Sequence, residues 1–310
     1  MNLVFMGTPE FAVMDLEHLM EVGHRILAVF CQPDKPRGRC LEPCSPPVKA
    51  CAVCQSIPVY QPKRLGPNSQ QVLRDLVPDL IVVSAYGRLL PPEVLAIPRL
   101  GCINVHASLL PKYRGAAPIQ WAVVNGETRT GVTLMQMDEG LDTGGMLVST
   151  EVEILPTDTA STLHDRLAHA GAHLLVDSLP LIEARQLVPT PQNAAEATYA
   201  PMLKREDGRI CWTDSGESIA NRLRGFYPWP GSFTTFRDRV LKVFPLASFV
   251  PMSCEEVPGT IVGWDDRGMV VACGDGTVVI PEVQQEGRQR LAAQQFVRGA
   301  RLERGEVLGR

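Results

Sequence analysis

The sequence predicts an α/β protein, with a doubly wound parallel sheet in the first domain and a small β-barrel in the second. The first part of the chain alternates apolar, strand-like runs with helical patterns, as β-α-β units do. The last third holds short strand-like runs separated by turn signals. The chain has 310 residues, 45% of them hydrophobic and 21% charged, which is enough for two domains with separate cores and excludes extensive disorder.

Five apolar runs in the first domain are predicted to be strands of a parallel, Rossmann-like sheet. Runs that are apolar on both faces suit such a sheet, because helices cover it on both sides. Its ligands should therefore bind beyond the carboxyl ends of the strands. The predicted strands are residues 3–6, 26–31, 80–84, 103–105 and 132–137.

A long helical pattern over residues 159–187 ends the first domain, and a polar, proline-containing linker follows it. We therefore expect the first domain to span residues 1–188, the linker 189–203 and the second domain 204–310. Short runs between turns such as Asp266-Arg267-Gly268 are typical of a small barrel. The strand-like runs of the second domain are 233–236, 240–244, 259–262, 269–273 and 277–280.

The N-terminal segment indicates whether a nicotinamide cofactor and a secreted or membrane location are to be expected. Gly7-Thr8-Pro9-Glu10 stands where a dinucleotide fold carries its glycine fingerprint, but it contains one glycine only, so a nicotinamide cofactor is not expected. The sequence shows no basic leader, cleavage site or long apolar segment, so neither secretion nor a membrane span is indicated. We expect a cytoplasmic protein without a membrane partner.

Three side chains suggest a reaction. Asn104 and His106 stand two apart at the end of an apolar run, so in a strand both point to the same face. Asp142 follows a later strand in an acidic, glycine-containing loop, where a simple turn aspartate is the alternative interpretation. An amide can donate to an oxyanion, an imidazole can relay a proton, and a carboxylate can orient the imidazole. The set suits acyl transfer to an attacking amine.

Further motifs surround these residues. They resemble, in order and spacing and over nearly the whole chain, the motifs of the formyltransferases that use 10-formyltetrahydrofolate. The opening segment 5–12 and the stretch 115–120 are similar to the branch of that family that acts on methionyl-tRNA. The motifs are Asn-Val-His at 104–106, Ser-Leu-Leu-Pro at 108–111, Arg-Gly-Ala-Ala-Pro-Ile-Gln at 114–120, Met-Gln-Met-Asp-Glu-Gly-Leu-Asp-Thr-Gly at 135–144, Tyr-Ala-Pro at 199–201 and Phe-Tyr-Pro-Trp-Pro at 226–230.

The resemblance implies roles for particular residues. It implies that the second domain is an OB-like barrel that contacts tRNA, and that Asn104, His106 and Asp142 are catalytic. It also implies 10-formyltetrahydrofolate as the co-substrate, with no metal required. The residues that the resemblance places in the folate site are Arg88, Leu89, Ser108, Leu109, Leu110 and Pro111.

The implied activity is transfer of the formyl group to the α-amino group of methionine on initiator methionyl-tRNA, for translation initiation, by a monomeric protein. Three alternatives stay open on the sequence. The first is a formyltransferase acting on a nucleotide-linked amino sugar, the second is a 10-formyltetrahydrofolate hydrolase, and the third is a tRNA-binding module without activity. The substrate and the segment 33–62 are expected to discriminate among them.

The segment 33–62 reads as an exposed, partly irregular loop with seven prolines and several cations. The net charge of the chain is −4, so a polyanion would be met by local patches of this kind rather than by the global field. The segment departs from the family pattern directly after Arg39, because Cys40-Leu41-Glu42 replaces a lysine-rich stretch. The residues expected to contact tRNA are Lys35, Arg37, Arg39 and Lys49.

Metal binding is the remaining question. Four of the nine cysteines, Cys40, Cys44, Cys51 and Cys54, fall close together and could in principle bind zinc. Their spacing is uncommon and a helix start precedes Cys51, which favours reduced thiols that act as small apolar residues. His169 and His173 lie four apart in an alanine-rich helical pattern and favour a structural role, since no glutamate stands between them. No metal site is predicted.

Overall fold

A mixed sheet forms the centre of the N-terminal part of the protein in the computed structural model, which describes residues 1–37, 42–245, 248–251 and 255–309. The strands up to residue 200 are β1 (Asn2–Gly7), β2 (Arg25–Phe30), β3 (Lys35–Arg37), β4 (Glu42–Cys44), β5 (Val59–Tyr60), β6 (Leu80–Ser84), β7 (Cys102–His106), β8 (Arg114–Gly115), β9 (Arg129–Gln136), β10 (Met146–Glu153) and β11 (Tyr199–Ala200). The helices of the same stretch are α1 (Phe11–Glu21), α2 (Pro47–Cys54), α3 (Pro67–Leu76), α4 (Pro92–Leu95), α5 (Pro118–Val124) and α6 (Ala160–Glu183).

The strand order of this sheet is β10-β9-β7-β6-β1-β2-β5 in the described part of the chain. The parallel pairs are β1 with β2, β1 with β6, β6 with β7 and β2 with β5. All five predicted strands are present, and the α/β prediction is confirmed. The run 132–137 was expected in the parallel sheet, but it lies in β9, which runs antiparallel to both β7 and β10. Apolar periodicity reports burial and not strand direction, which depends on the path of the connecting chain.

The apolar runs form the core because they are buried on both faces. Leu3, Val4, Phe5 and Met6 of β1 are fully buried, and every residue of β6 is buried. Burial of consecutive residues in a strand requires cover on both sides of the sheet, which the helices supply. The carboxyl ends of β1, β6 and β7 consequently meet at one edge of the sheet, where α/β proteins bind their ligands.

One acidic group is enclosed in this core. Asp15 of α1 is fully buried, and neither carboxylate oxygen has a hydrogen-bond partner among the described residues. Burial raises the pKa of Asp15 from about 3.8 to about 7, and the nearby Ser84 hydroxyl offsets a smaller part of that rise without forming a well-aligned hydrogen bond. A carboxyl group that stays protonated in the folded state but ionises in the unfolded state lowers stability as the pH rises.

Asp15→Asn is therefore expected to stabilise the protein increasingly between about pH 4 and pH 7. Below about pH 4 the carboxyl group is protonated in the folded and the unfolded state, and above about pH 7 it is ionised in both. The difference in the free energy of unfolding between the variant and the wild type should therefore grow only between these pH values. The full difference would be about 4 kcal/mol, because each pH unit contributes about 1.4 kcal/mol to the free energy of unfolding. Urea unfolding of both proteins at about pH 4.5 and pH 8 measures it. An equal difference at the two pH values would contradict the assignment.

The C-terminal part is built from two antiparallel sheets and two α-helices in the described residues. Its sheets have the orders β12-β13-β18-β19 and β14-β17-β16-β15. Side chains including Trp212, Phe236 and Phe296 fill its core. The small β-barrel prediction is confirmed. The elements are α7 (Gly216–Gly225), β12 (Ser232–Phe236), β13 (Arg239–Val243), β14 (Ser248–Pro251), β15 (Ile261–Asp265), β16 (Gly268–Cys273), β17 (Gly276–Ile280), β18 (Glu282–Gln285), β19 (Leu291–Ala292) and α8 (Ala293–Ala300).

The chain divides into two compact units that do not follow a single cut in the sequence. The first unit consists of Met1–Pro118, Arg129–Glu153 and His164–Ala200. The second consists of Ile119–Thr128, Ile154–Leu163 and Pro201–Arg310. Within the second unit, the Trp121 indole N–H donates to the carbonyl of Pro201 at 2.9 Å, and Arg224 donates to the carbonyl of Asp158 at 2.9 Å. Among the described residues, no helix combines the length and apolar character needed to cross a membrane.

Candidate active site

Asn104, His106 and Asp142 lie together at the carboxyl edge of the sheet. β7 ends at His106, and the alternation of side chains along a strand puts Asn104 on the same face. Asn104 Nδ2 donates to Asp142 Oδ1 at 3.5 Å, and His106 Nδ1 lies 3.7 Å from Asp142 Oδ2. The exposed fractions of Asn104 and His106 are only 8% and 5%, so their interactions occur largely out of water. The structure thus places the three predicted side chains in one cluster.

The tautomer of His106 follows from its neighbours. Nε2 lies 3.0 Å from the main-chain carbonyl of Tyr113, which can only accept a hydrogen bond. Nε2 therefore carries a proton, and Nδ1 faces the carboxylate of Asp142. A neutral imidazole would present a lone pair to that carboxylate, whereas a proton on Nδ1 would lie between the two groups. The pair is consequently arranged to accept one proton and later release it.

Asp142 is held in an uncommon backbone conformation. Its φ angle is +53°, in the left-handed region that residues other than glycine seldom adopt. Its Oδ2 accepts a hydrogen bond from the Gly115 main-chain N–H at 2.8 Å. A charge-assisted bond of this kind fixes the carboxylate near His106. The surroundings of Asp142 are thus those of an oriented side chain rather than of a loose turn aspartate.

Buried side-chain hydrogen bonds hold the turn that follows β7. Ser108 is fully buried, and its hydroxyl donates to the carbonyl of Lys112 at 2.6 Å. The Thr133 hydroxyl donates to the carbonyl of Ser108 at 2.7 Å and accepts from the Leu110 N–H at 3.2 Å. Leu109 is half-buried and Pro111 is partly exposed at the same turn. The side chain of Ser108 therefore shapes the turn, and a folate contact by residues 108–111 stays a prediction.

The second predicted folate segment follows β6. Arg88 Nη2 donates to Gln32 Oε1 at 2.9 Å, and Nη1 donates to the carbonyl of Lys63. Gln32 in turn donates through Nε2 to the Tyr86 carbonyl at 3.0 Å. Leu89 is 58% exposed, which is unusual for a leucine beside such an ordered segment. The hydrogen bonds of the Arg88 side chain thus hold the segment in place, while Leu89 exposes apolar surface at the edge of the sheet.

The described residues of the predicted basic segment contain α2 and the antiparallel pair of strands β3 and β4, so they are more regular than the composition suggested. Lys49 Nζ forms an ion pair with Asp34 at 2.7 Å, and Asp34 also accepts from Gln61 Nε2 at 2.8 Å. The side chain of Lys35 is exposed. The main chain of Arg37 lies in β3, and Arg39 lies outside the described residues. Contact of these four cations with tRNA stays a prediction.

The cysteines of this segment do not form a metal cluster in the part of the chain that the structure describes. No group of three or more histidine, cysteine, aspartate or glutamate side chains there could hold a metal ion. Cys44 and Cys54 are exposed, and Cys51 is half-buried with its Sγ 3.9 Å from Glu17 Oε1. Cys40 lies outside the described residues.

His169 and His173 lie in α6. The ring of His173 makes an edge-to-face contact with His18, with 5.1 Å between the ring centroids. This contact gives His173 a packing role, and the structural interpretation of His169 stays a prediction.

Two residues of the site were missed by the sequence analysis. Gly115 supplies the N–H that holds Asp142, and Gln192 contacts the main chain of the Asp142 loop. Gly115 falls inside a motif but no local pattern marks its N–H as a donor to a distant carboxylate. Gln192 stands in a polar linker, where glutamine is ordinary. A signal for either residue exists only in the folded chain.

An open α/β sheet with an amide, an imidazole and a carboxylate clustered at its carboxyl edge defines an enzyme of the acyl-transfer class. The model of the formyl transferase family matches residues 1–179, and that of the formyl transferase C-terminal domain matches residues 202–301. Methionyl-tRNA formyltransferases from Syntrophus aciditrophicus and Geobacter metallireducens are each 48% identical to this chain, covering 99% and 100% of it and 99% of their own length. The chain belongs to the methionyl-tRNA formyltransferase family.

Solved structures share the fold at low sequence identity. The N-formyltransferase from Helicobacter canadensis, in complex with folinic acid and dTDP-3-aminofucose, is 18% identical with a TM-score of 0.68, covering 93% of this chain and 99% of that one. HypX from Aquifex aeolicus in complex with tetrahydrofolic acid is 18% identical with a TM-score of 0.63, covering 95% of this chain and 46% of that one. At such identities the likeness establishes the fold alone.

Proposed function

We propose that the protein transfers the formyl group of 10-formyltetrahydrofolate to the α-amino group of methionine on initiator methionyl-tRNA. The observation that carries the proposal is the cluster of Asn104, His106 and Asp142, joined by separations of 3.5 and 3.7 Å at the carboxyl edge of the sheet. It occurs in a chain that is 48% identical over its full length to proteins named for this activity. The product would serve translation initiation.

The reaction needs an attacking amine and a stabilised oxyanion. The neutral amine forms a bond to the formyl carbon, and the carbonyl electron pair moves to the oxygen. When the oxyanion collapses, the bond between the formyl carbon and N10 of the folate breaks, and N10 takes the electron pair. The amine loses one proton and N10 gains one, so no oxidant, reductant or further co-reactant is required.

The three side chains match these needs. Asn104 uses one N–H toward Asp142 and has a second available for the oxyanion, where a well-placed donor contributes roughly 3–4 kcal/mol. His106 and Asp142 together take the proton of the amine and supply one to N10. Because Tyr113 fixes the Nε2 proton of His106, the transferable proton resides on the side of Asp142. Proton transfer of this type contributes about a hundredfold or more to the rate.

The segment after β6 is chemically suited to a folate head group. A pterin carries an amide-like edge of donors and acceptors on a flat apolar ring. The main-chain N–H groups of residues 87–90 donate to no described residue, so they can meet ligand acceptors. Leu89 supplies exposed apolar surface in the same stretch. We infer that this segment and the turn over residues 108–111 border the folate. The side-chain hydrogen bonds of Arg88 and Ser108 would hold the two segments in place.

The basic segment and the barrel are the proposed tRNA-contacting parts. We propose a functional division into a catalytic domain at 1–188, a linker at 189–203 and a tRNA-contacting barrel at 204–310. Lys35 is exposed, whereas Lys49 is engaged by Asp34. Lys35 is therefore the better candidate for a direct phosphate contact, and Lys49 fits the role of ordering the segment.

Lys35→Ala is expected to raise the KM for charged tRNA severalfold and leave the KM for folate unchanged, because the cation would meet a phosphate. The slope of log affinity against log salt should fall by about one. Steady-state kinetics and binding at several salt concentrations measure both quantities. Arg74→Ala, which removes an exposed cation from α3, is the matched control. Equal effects of the two substitutions would exclude a specific contact by Lys35.

The activity is tested with purified protein and 10-formyltetrahydrofolate, without added metal or ATP. Acceptors are methionyl initiator tRNA, uncharged tRNA and a nucleotide-linked amino sugar in parallel, followed by analysis of the released amino acid or sugar. Formylmethionine from the first acceptor alone is the expected result. Transfer to the amino sugar alone would establish the alternative function that the sequence leaves open. Formate release without any acceptor would indicate a hydrolase.

A further inference from the structure

Gln192 bridges the loop that carries Asp142 to a buried arginine. Its Nε2 donates to the main-chain carbonyls of Asp142 and Gly144 at 2.8 and 2.7 Å. Its Oε1 accepts from Nε and Nη2 of Arg114 at 3.0 and 2.7 Å. Gln192 follows α6 at a distance of 50 residues from Asp142 in the chain. One half-buried side-chain amide thus donates two hydrogen bonds and accepts two.

Arg114 dictates the orientation of the Gln192 amide. A guanidinium group can only donate, so the oxygen of the amide must face it and the NH₂ group must face the two carbonyls. Arg114 is only 5% exposed, and its charge therefore strengthens the pairing. A 180° rotation of the amide would bring NH₂ against the guanidinium and oxygen against the carbonyls. Gln192 is consequently fixed as a donor to the Asp142 loop.

The loop needs such support. The left-handed conformation of Asp142, with φ at +53°, is strained for a residue with a side chain. Gln192 secures the main chain of Asp142, and the Gly115 N–H secures its carboxylate. Arg114 and Gly115 are neighbours in β8, so this short strand supports Asp142 both directly and through Gln192. Main chain and carboxylate are thereby placed relative to the same element.

We propose that Gln192 is a positioning residue, which acts through the main chain of Asp142 to keep its carboxylate beside His106. The inference rests on the proposed function, since it takes Asp142 as the carboxylate of the reaction. It assigns part of the segment expected to be a linker to the construction of the active site. Gln192 touches neither His106 nor Asn104 through any hydrogen bond among the described residues.

Two substitutions separate positioning from folding. Gln192→Glu keeps an acceptor for Arg114 and removes both donors to the loop, whereas Gln192→Met removes all four hydrogen bonds at similar length. We expect kcat to fall at least about tenfold, because a displacement of about 1 Å in a catalytic group can cost about a hundredfold. The KM values for folate and charged tRNA should stay within about threefold. Gln186→Glu and Gln186→Met change the same residue type at an exposed position and are the matched controls.

A double-mutant cycle tests whether Gln192 acts through Asp142. In the Asp142→Asn background the substitution of Gln192 should have no further effect on kcat, because the group that it positions is already lost. A merely structural role would lower kcat and the melting temperature in both backgrounds. Retention of wild-type kcat in Gln192→Glu, or the same loss in both backgrounds, would overturn the proposal.

Amide hydrogen exchange supplies a measurement that does not depend on turnover. Exchange of the Gly115 N–H, which donates to Asp142, should accelerate at least about tenfold in Gln192→Glu and stay unchanged in Gln186→Glu. Unchanged exchange at Gly115 would refute positioning even if the enzyme were impaired. If the wild type itself failed to formylate methionyl-tRNA, the proposed function would fall, and the exchange experiment would still decide whether Gln192 holds the Asp142 loop.

Discussion

Asp142→Asn and His106→Ala are each expected to reduce formyl transfer to methionyl-tRNA at least about a hundredfold. Asparagine cannot share a proton with His106, and alanine removes the imidazole whose Nδ1 lies 3.7 Å from the carboxylate. Proton transfer and oxyanion stabilisation are each worth about that factor. Single-turnover rates at saturating 10-formyltetrahydrofolate measure the loss without interference from product release.

Two controls test whether the loss of rate is specific to these two residues and whether the variants stay folded. Glu139→Gln neutralises an exposed acid of the same loop and should leave the rate unchanged. Asp142→Asn is close to isosteric and should fold, but it should unfold at a modestly lower temperature than the wild type, because its NH₂ group would face either the Asn104 amide or the Gly115 N–H, and both are donors. His106→Ala leaves a cavity and removes the hydrogen bond from His106 to the Tyr113 carbonyl, so Asp142→Asn is the cleaner variant. Rates within about threefold of the wild type for both substitutions would exclude the mechanism.

Gly115→Ala is expected to lower both stability and turnover. The φ angle of Gly115 is +118°, and a Cβ atom there would stand 2.7 Å from the carbonyl oxygen of Ala200. The paired strands β8 and β11 would have to separate, which would also withdraw the N–H from the carboxylate of Asp142. The loss of a hydrogen bond to a charged group, roughly 1.5–3 kcal/mol, predicts a tenfold to hundredfold fall in kcat in addition to the strain.

Gly23→Ala provides the comparison for this substitution. Gly23 also has a positive φ, +83°, but a Cβ there would meet nothing within 4 Å. It should lose stability through backbone strain alone and keep the wild-type kcat. Denaturant unfolding and kcat measured on both variants separate strain from the active-site effect. A Gly115→Ala protein as active as Gly23→Ala would show that the hydrogen bond to Asp142 is dispensable.

The sequence determined the elements of the fold that depend on local patterns. The buried strands of the sheet follow from runs such as Leu3 to Met6, which bury both faces. The pairing of Asn104 with His106 on one face follows from the two-residue repeat of a strand and required no tertiary information. The alternation of strand and helix patterns predicted the parallel order of β1, β6 and β7, and with it the position of the cluster at the carboxyl edge. The motifs then carried the resemblance to the formyltransferases.

Tertiary structure alone decided how the site is supported and what the core contains. The antiparallel direction of β9, the complete burial of Asp15 and the hydrogen bonds from Gly115 and Gln192 to Asp142 each depend on where distant segments meet. Helical and strand periodicity records which faces of a segment are buried, and motifs record local geometry. Neither encodes a contact across 50 residues, because such a contact depends on how the whole chain folds back on itself.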